Sequence, residues 1–296
     1  MMAAKKTSAK SPRFRWSRTI PADETESWET RFFLLGHTNV VFTGKPGKRE
    51  TIEAYFFSKS EAEAFEKQFG GSIESFQDQN WAALSKSGSA GKSIRIRDRF
   101  VVALDDDPKF LSQLQKEFPN RHILEFPPDM AFGTGDHATT ATCLRMLSDL
   151  RQSLPNGDWT FLDLGTGTGI LAVAACRLGA KQVVATDFDP KAVEIAKSSL
   201  VRHHLDESQV AVIEQDALSW RPSQRFDVVA ANIFSDTLIQ VMPKIRRSVK
   251  KAGFVVLSGI LREQAANVEA AAEKNGLALQ RKVTRGKWVS LLARAA

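Results

Sequence analysis

The sequence predicts an α/β protein with a doubly wound, mostly parallel sheet, preceded by a small N-terminal α+β domain. Beyond residue 131, apolar strand-like segments alternate regularly with helical ones, which is typical of a parallel sheet covered by helices. A glycine-rich segment follows the first of these strands. The last two strand-like segments are joined by a tight turn and not by a helix, so we expect the sheet to end in an antiparallel hairpin.

The composition is that of a globular protein. The chain has 296 residues, 43% of them hydrophobic and 25% charged, a length that suggests about two domains. No apolar run reaches the roughly 18 residues of a membrane span, so we expect no membrane contact and a cytoplasmic location. The two cysteines, Cys143 and Cys176, are too few for a disulfide framework or a zinc site.

The formal net charge of +7 is partly local, because six cationic residues precede the first acidic residue, Asp23. A positive charge allows a phosphate-rich partner. We interpret residues 1–12 as a disordered, solvated basic tail, since they lack the amphipathic apolar face of a targeting peptide. We expect that the protein needs no direct contact with nucleic acid and that it is a monomer.

The order of strand-like and helix-like segments in residues 13–84 predicts a small domain with the fold of a split α/β sandwich. Helix 60–69 is stopped by Gly70 and Gly71. Residues 85–92 are rich in serine and glycine, and residues 85–130 form a linker with lead-in strands at 93–104 and 123–126. The remaining elements of the small domain are strands at 13–20, 40–42, 51–57 and 72–76 and a helix at 23–35.

Residues 131–296 predict the larger domain. Asp189 followed by Pro190 predicts a capped helix start. A parallel sheet that ends in an antiparallel hairpin is the architecture of class I methyltransferases and differs from a plain dinucleotide-binding domain. The predicted strands lie at 160–164, 182–187, 210–214, 227–231 and 254–258, with the hairpin at 277–284 and 287–293.

The strongest motif is FLDLGTGTGIL, residues 161–171, in which an apolar strand runs into glycines at Gly165, Gly167 and Gly169. Glycine allows sharp turns and close approach of a ligand. The G-x-G-x-G spacing differs from the G-x-G-x-x-G of nicotinamide-binding loops. Such a loop can close on the amino-acid part of S-adenosylmethionine, and Asp163 is a candidate partner for its ammonium group.

Acidic residues end the next two predicted strands. A carboxylate at Asp187 can accept hydrogen bonds from both ribose hydroxyls. Taken alone, a cap or turn role for Asp187 is equally good, but the preceding glycine loop favours the ribose role. Asp189, two residues on, is better interpreted as the helix cap. Asp216 follows the third strand, where adenine contacts usually fall.

Three further segments narrow the class: AFGTGDHATTATCL at 131–144, VVAANIF at 228–234 and GFVVLSGIL at 253–261. In this order they resemble the PrmA family, which methylates protein eleven (L-eleven) of the large ribosomal subunit. The resemblance covers residues 131–296 closely, whereas residues 13–84 resemble the substrate-recognition domain of the family only in element order.

The resemblance implies S-adenosylmethionine as cofactor and a ribosomal protein as substrate, with lysine and N-terminal amines as acceptors. It implies cofactor contacts from Thr140, Gly165, Asp187 and Asn232. A lid over the cofactor at 132–137 would include Phe132. Asn232, at the end of a strand, is the candidate catalytic residue, because its side-chain carbonyl can orient the acceptor amine.

The chain departs from the family pattern at Asp136 and Ala138, where the family has threonine and proline. Methylation of another protein lysine or of a small molecule therefore remains an alternative, as does cofactor binding without catalysis. His203 and His204 end a helix, and we expect them at the surface, not on a metal. We expect Trp288 to pack on the sheet.

Overall fold

The computed structural model describes residues 14–21, 24, 28, 31–32, 40–43, 49–56, 58–75, 91–127 and 137–296. The predicted tail, most of the predicted lid, the linker at 85–90 and most of the predicted helix at 23–35 lie outside these ranges. The chain divides into two compact units, residues 1–88 and 89–296. Within the described ranges, no helix has the length and apolar character needed to cross a membrane.

The first unit is an antiparallel sheet with strand order β2-β3-β1-β4 and one described long helix, α1. Ser58 begins α1 through a capping box with Glu61. Trp16 lies fully buried among aromatic rings that include Phe65, at a centroid distance of 4.9 Å. The elements are β1 (Phe14–Ile20), β2 (Val40–Thr43), β3 (Glu50–Phe56), α1 (Lys59–Phe69) and β4 (Ser72–Ser75).

The second unit opens with a three-stranded sheet, in which β6 pairs antiparallel with β5 and parallel with β7. The strand predicted at 123–126 is present, whereas the single strand predicted at 93–104 is two strands, β5 and β6, joined by a turn. The helix α2 between β6 and β7 was not predicted; Asp107 caps it and Pro108 is its first residue. The elements are β5 (Ser93–Ile96), β6 (Phe100–Ala103), α2 (Pro108–Glu117) and β7 (His122–Glu125).

The main sheet has the order β10-β9-β8-β11-β12-β14-β13. The first five strands in this order are parallel, and β14 and β13 add the antiparallel hairpin, as predicted. The strands are β8 (Trp159–Leu164), β9 (Ala180–Asp187), β10 (Val210–Glu214), β11 (Phe226–Asn232), β12 (Val249–Leu261), β13 (Leu277–Arg285) and β14 (Trp288–Ala295).

Helices cover both faces of this sheet, as its nearly all-apolar central strands require. Residues of α3 and α4 share one core with β8, and residues of α6 and α7 share the other with β12. The carboxyl ends of β8 to β12 therefore open at one edge, where open α/β sheets bind ligands. The helices are α3 (Ala138–Leu150), α4 (Ile170–Arg177), α5 (Pro190–Arg202), α6 (Ser235–Ser248) and α7 (Ala265–Lys274).

The surface position predicted for His203 is wrong. The ring is only 4% exposed and stacks on Phe126 at 4.9 Å. Its Nδ1 donates to the Ser199 carbonyl at 2.8 Å, and its Nε2 accepts the backbone N–H of Glu125 at 3.0 Å. Burial lowers the pKa of His203 to about 4, so the ring is neutral. The neighbouring His204 is exposed.

Candidate functional site

The glycine loop turns sharply between β8 and α4. Gly165, Gly167 and Gly169 have φ angles of 72°, 55° and 83°, which residues with a Cβ rarely adopt. The N–H of Gly165 donates to the Thr186 carbonyl at 2.8 Å, so the loop is pinned to the end of β9. Because α4 begins just after Gly169, its first unpaired N–H groups face the same edge of the sheet.

Asp187 holds the loop from the neighbouring strand. Its carboxylate is 7% exposed and accepts the N–H of Gly167 at 2.9 Å through Oδ2 and that of Asp189 at 3.1 Å through Oδ1. Each carboxylate oxygen can accept a further hydrogen bond, so a ligand hydroxyl can still be bound. Asp189 accepts the N–H of Lys191 at 2.9 Å and caps α5, which confirms its predicted cap role.

Asp163, at the end of β8, is 1% exposed. Its Oδ2 accepts the Thr166 hydroxyl at 2.6 Å, while its Oδ1 is buried without a partner among the described groups. Burial raises the pKa of this carboxyl to about 7; the Thr166 hydrogen bond lowers the pKa, and the nearby charge of Asp187 raises it. A cationic ligand group would satisfy the buried oxygen and stabilise its charged form.

Asn232 ends β11 at the same edge of the sheet and is half-buried. Its Nδ2 donates to the hydroxyl of Thr140, on α3, across a long 3.4 Å. Its Oδ1 is buried and has no partner among the described residues. The structure thus brings together two predicted site residues that lie 92 positions apart, and it leaves the amide oxygen of Asn232 available to a ligand.

Two glycines hold the residue after Asn232. A Cβ on Gly165 would lie 2.3 Å from Cγ2 of Ile233, and a Cβ on Gly259 would lie 2.6 Å from the Ile233 carbonyl oxygen. Gly259 also has a φ of +78°. Both positions therefore require glycine, and together they fix where β11 ends. The segments at 161–171, 228–234 and 253–261 stand out in the sequence, but their contact was not predicted.

A buried polar cluster lies beside Asn232 in the main sheet. Ser258 stands opposite Asn232 in the register of β11 and β12, and its hydroxyl lies 2.7 Å from that of Ser290. Burial raises the pKa of Cys143 to about 12, although the thiol lies close enough to Ser258 for that hydroxyl to lower its pKa slightly. The thiol therefore stays protonated and is not a nucleophile.

The other predicted residues are placed as follows. Asp216, just beyond β10, is exposed, and its carboxylate accepts the N–H of Leu218 at 2.8 Å, which closes a turn. Phe132 lies outside the described residues.

Phe188, directly after Asp187, is 73% exposed and was not predicted as a site residue from the sequence. Such an exposed ring beside a polar cradle offers a surface that a flat ligand can cover.

One rim of the site is aromatic. Trp288, at the start of β14, is half-buried and meets His137 edge-on at 5.1 Å. Nδ1 of His137 lies 2.7 Å from the Thr139 hydroxyl at the start of α3. Within the described part of the chain, no three His, Cys, Asp or Glu side chains are grouped to hold a metal ion.

A parallel sheet closed by an antiparallel hairpin, with a glycine loop after β8 tied to the acidic residue that ends β9, defines a class I S-adenosylmethionine-dependent methyltransferase. The family model described as Ribosomal protein L11 methyltransferase (PrmA) matches residues 26–296. The chain belongs to this family.

Individual relatives of the chain carry the same name as the family. A ribosomal protein L11 methyltransferase of Desulforapulum autotrophicum is 36% identical over 219 residues, 73% of this chain and 67% of that protein. One from Pelotomaculum thermopropionicum is 41% identical over 172 residues, 58% of this chain and 54% of that protein. The crystal structure of a ribosomal protein L11 methylase from Lactobacillus delbrueckii subsp. bulgaricus matches with a TM-score of 0.59 and 28% identity, covering 69% of this chain and 99% of that one.

Proposed function

We propose that this enzyme transfers methyl groups from S-adenosylmethionine to lysine side chains, and to an N-terminal amine, of ribosomal protein L11. The observation that carries the proposal is the buried, unpartnered Oδ1 of Asn232 at the carboxyl end of the sheet. Relatives named for this activity, at 32–41% identity, support the choice of substrate.

The cofactor would lie across the ends of β8, β9 and β10. Asp163 would receive its ammonium group, and the backbone of Gly165, Gly167 and Gly169 would surround its amino-acid part. Asp187 would bind the ribose hydroxyls, and Asp216 would lie at the adenine. Thr140 and Phe132 would complete the contacts. The bound cofactor supplies a methyl group on a positively charged sulfur, which makes that carbon open to attack.

Asn232 would orient the acceptor. Its Oδ1 can accept a hydrogen bond from an amine N–H, which turns the nitrogen lone pair toward the methyl group. An amide is a poor base, and only about 0.04% of a free lysine is neutral at pH 7. We therefore assign proton loss to water, and positioning and desolvation to the protein.

In this proposal the N-terminal domain, residues 13–84, recognises the protein substrate. The linker and lead-in strands, residues 85–130, connect it to the cofactor-binding catalytic domain at 131–296. The enzyme acts as a monomer in the cytoplasm, where its substrate is made.

The test is methyl transfer from labelled S-adenosylmethionine to purified L11, with the label located by mass spectrometry. We expect Asn232→Ala to lower kcat by about 100-fold or more, with a smaller loss of cofactor affinity. Asn275→Ala is the matched control, because among the described residues the Asn275 side chain bonds only the Ala271 carbonyl of its own helix. We expect this control to be fully active.

Other outcomes separate the alternatives. Label on a different protein of a cell lysate would move the activity to another protein lysine. Cofactor binding without any labelled protein would indicate a small-molecule acceptor or a lost activity. Equal rates for Asn232→Ala and Asn275→Ala would remove Asn232 from the mechanism.

A further inference from the structure

A basic stripe of four arginines, Arg97, Arg145, Arg281 and Arg285, lies along α3 and β13. At one end, Asp149 of α3 accepts two hydrogen bonds from Arg97, at 2.8 and 2.9 Å, and one from Arg281, at 2.9 Å. These bonds join the turn after β5, the end of α3 and the edge strand β13. They account for two of the four arginines and hold the stripe rigid.

Arg145 and Arg285 differ from Arg97 and Arg281 in their lack of a carboxylate partner within the described part of the chain. Among the described residues, neither forms an ion pair with an acidic side chain. Arg145 lies one helical turn from Asp149, which bonds Arg97 and Arg281. Burial lowers the pKa of Arg145, and the positive charges of Arg285 and Arg97 lower it further. Within the described ranges Asp149 is the one carboxylate bonded to the stripe, which leaves these five side chains with a formal charge of +3.

The stripe has a definite shape. Arg281 and Arg285 are four residues apart on β13, about 13 Å at strand spacing. Arg145 and Asp149 are one helical turn apart on the facing helix α3. The next residue on β13, Lys282, instead pairs with Glu269 of α7 on the other face of the sheet.

One end of the stripe reaches the rim of the site. Arg285 pairs with Trp288 in the hairpin register, and Trp288 contacts His137 at the start of α3. Thr140, whose hydroxyl accepts the Asn232 amide, lies within the first turn of the same helix. A chain lying on the stripe would therefore lead toward the end of β11.

Charges on an edge strand also prevent unwanted strand pairing. That role would not place Arg145 on the neighbouring helix, half-buried and beside two like charges. Grouped like charges without a counter-ion destabilise a fold, and such breaks of local rules concentrate at functional sites.

We infer that the basic stripe docks an acidic segment of the protein substrate, carrying two or more carboxylates, and so guides the acceptor amine to Asn232. This inference rests on the proposed function. The guanidinium fork fits carboxylates in a bidentate manner. The short length of the stripe favours a peptide, because nucleic-acid binding proteins usually neutralise about six or more phosphates.

The test is the double variant Arg145→Gln/Arg285→Gln, with kcat and KM measured for L11. We expect KM to rise about tenfold, with kcat and the cofactor Kd unchanged, and the difference to shrink as salt is raised. The control Lys181→Gln/Lys197→Gln removes the same charge from exposed positions on β9 and α5. An equal KM for both variants would overturn the inference.

Arg285 is exposed, so Arg285→Glu should fold normally and raise KM further. Binding of fluorescent polyglutamate, followed by anisotropy, tests the stripe even if L11 proves not to be the substrate. We expect binding to the wild type and the control, and at least about tenfold weaker binding to the double variant. Stripe-dependent binding of RNA without polyglutamate binding would reject an acidic peptide in favour of nucleic acid.

Discussion

Two buried polar regions of the second unit differ in whether their polar atoms have partners. Beneath β7, both ring nitrogens of His203 are bonded. At the carboxyl ends of β8 and β11, Asp163 and Asn232 each keep a buried oxygen without a partner among the described groups. Buried unpaired oxygens are rare in folded proteins and need an explanation. We propose that a bound ligand supplies the missing partners at the second region, whereas the first region has a structural role alone.

The largest effect is expected where the backbone itself is constrained. Gly165→Ala would place a Cβ 2.3 Å from Ile233 Cγ2 at a φ of 72°. We expect a loss of about 3 kcal/mol in the free energy of unfolding, from the strained backbone and the overlap together, and loss of cofactor affinity. Urea unfolding and a cofactor titration measure the two quantities.

Gly157 is a control that separates the steric overlap with Ile233 from the strain of the backbone. Gly157 has the same φ of 72°, and a Cβ there would meet nothing within 4 Å. Gly157→Ala should therefore lose only the backbone part, about 1–2 kcal/mol. Adding Ile233→Ala to Gly165→Ala removes the clashing methyl group and should recover part of the loss. Equal losses for Gly157→Ala and Gly165→Ala would show that the contact with Ile233 carries no weight.

His203 is expected to matter for stability without affecting the ligand. His203→Asn is too short to reach both the Ser199 carbonyl and the Glu125 N–H, so we expect a loss of about 2 kcal/mol. His204→Asn is the control, since His204 is exposed at a φ of 52°, a conformation that asparagine tolerates. Cofactor affinity should be unchanged in both variants; a drop in His203→Asn alone would contradict the contrast between the two regions.

The pH dependence of this effect has a definite sign. The pKa of His203 is lowered by folding, from 6.5 to about 4, so the folded chain binds fewer protons than the unfolded chain between these values. The stability contributed by the neutral ring is complete above pH 6.5 and is lost as the pH falls toward 4. Unfolding of the wild type and of His203→Asn, measured across this window, should converge at low pH.

The elements that the sequence predicted correctly depend on residues that are close together along the chain. Strand and helix periods, the glycine spacing and the Asp189–Pro190 cap are all local signals, and the main sheet followed from them. The burial of His203 depends on a strand 78 residues away, and the contact between Ile233 and Gly259 joins the residue after β11 to β12. A single sequence does not show which distant segments meet, so these features came only from the structure.

The smallest predicted effect concerns Asp163, whose carboxyl combines a raised pKa of about 7 with an unpartnered oxygen. A cationic group bound there would favour the charged form, so cofactor binding should release a proton below pH 7. We expect Kd to rise about tenfold per pH unit as the pH falls below 7. Calorimetry in buffers of different ionisation enthalpy measures both the affinity and the released proton.

Asp163→Asn separates this carboxyl from the titration of the cofactor itself. The variant should bind more weakly and lose the pH dependence below pH 7; an unchanged slope would assign the proton to another group. Without cofactor, the stability contributed by Asp163 changes with pH in the opposite direction to cofactor affinity. Folding raises the pKa of this group from 3.8, so its stabilising contribution is complete below that value and is lost as the pH rises to about 7. Asp163 stabilises the cofactor-free fold when it is protonated, but it binds the ligand when it is charged. Its burial therefore favours ligand binding at a cost to the stability of the cofactor-free protein.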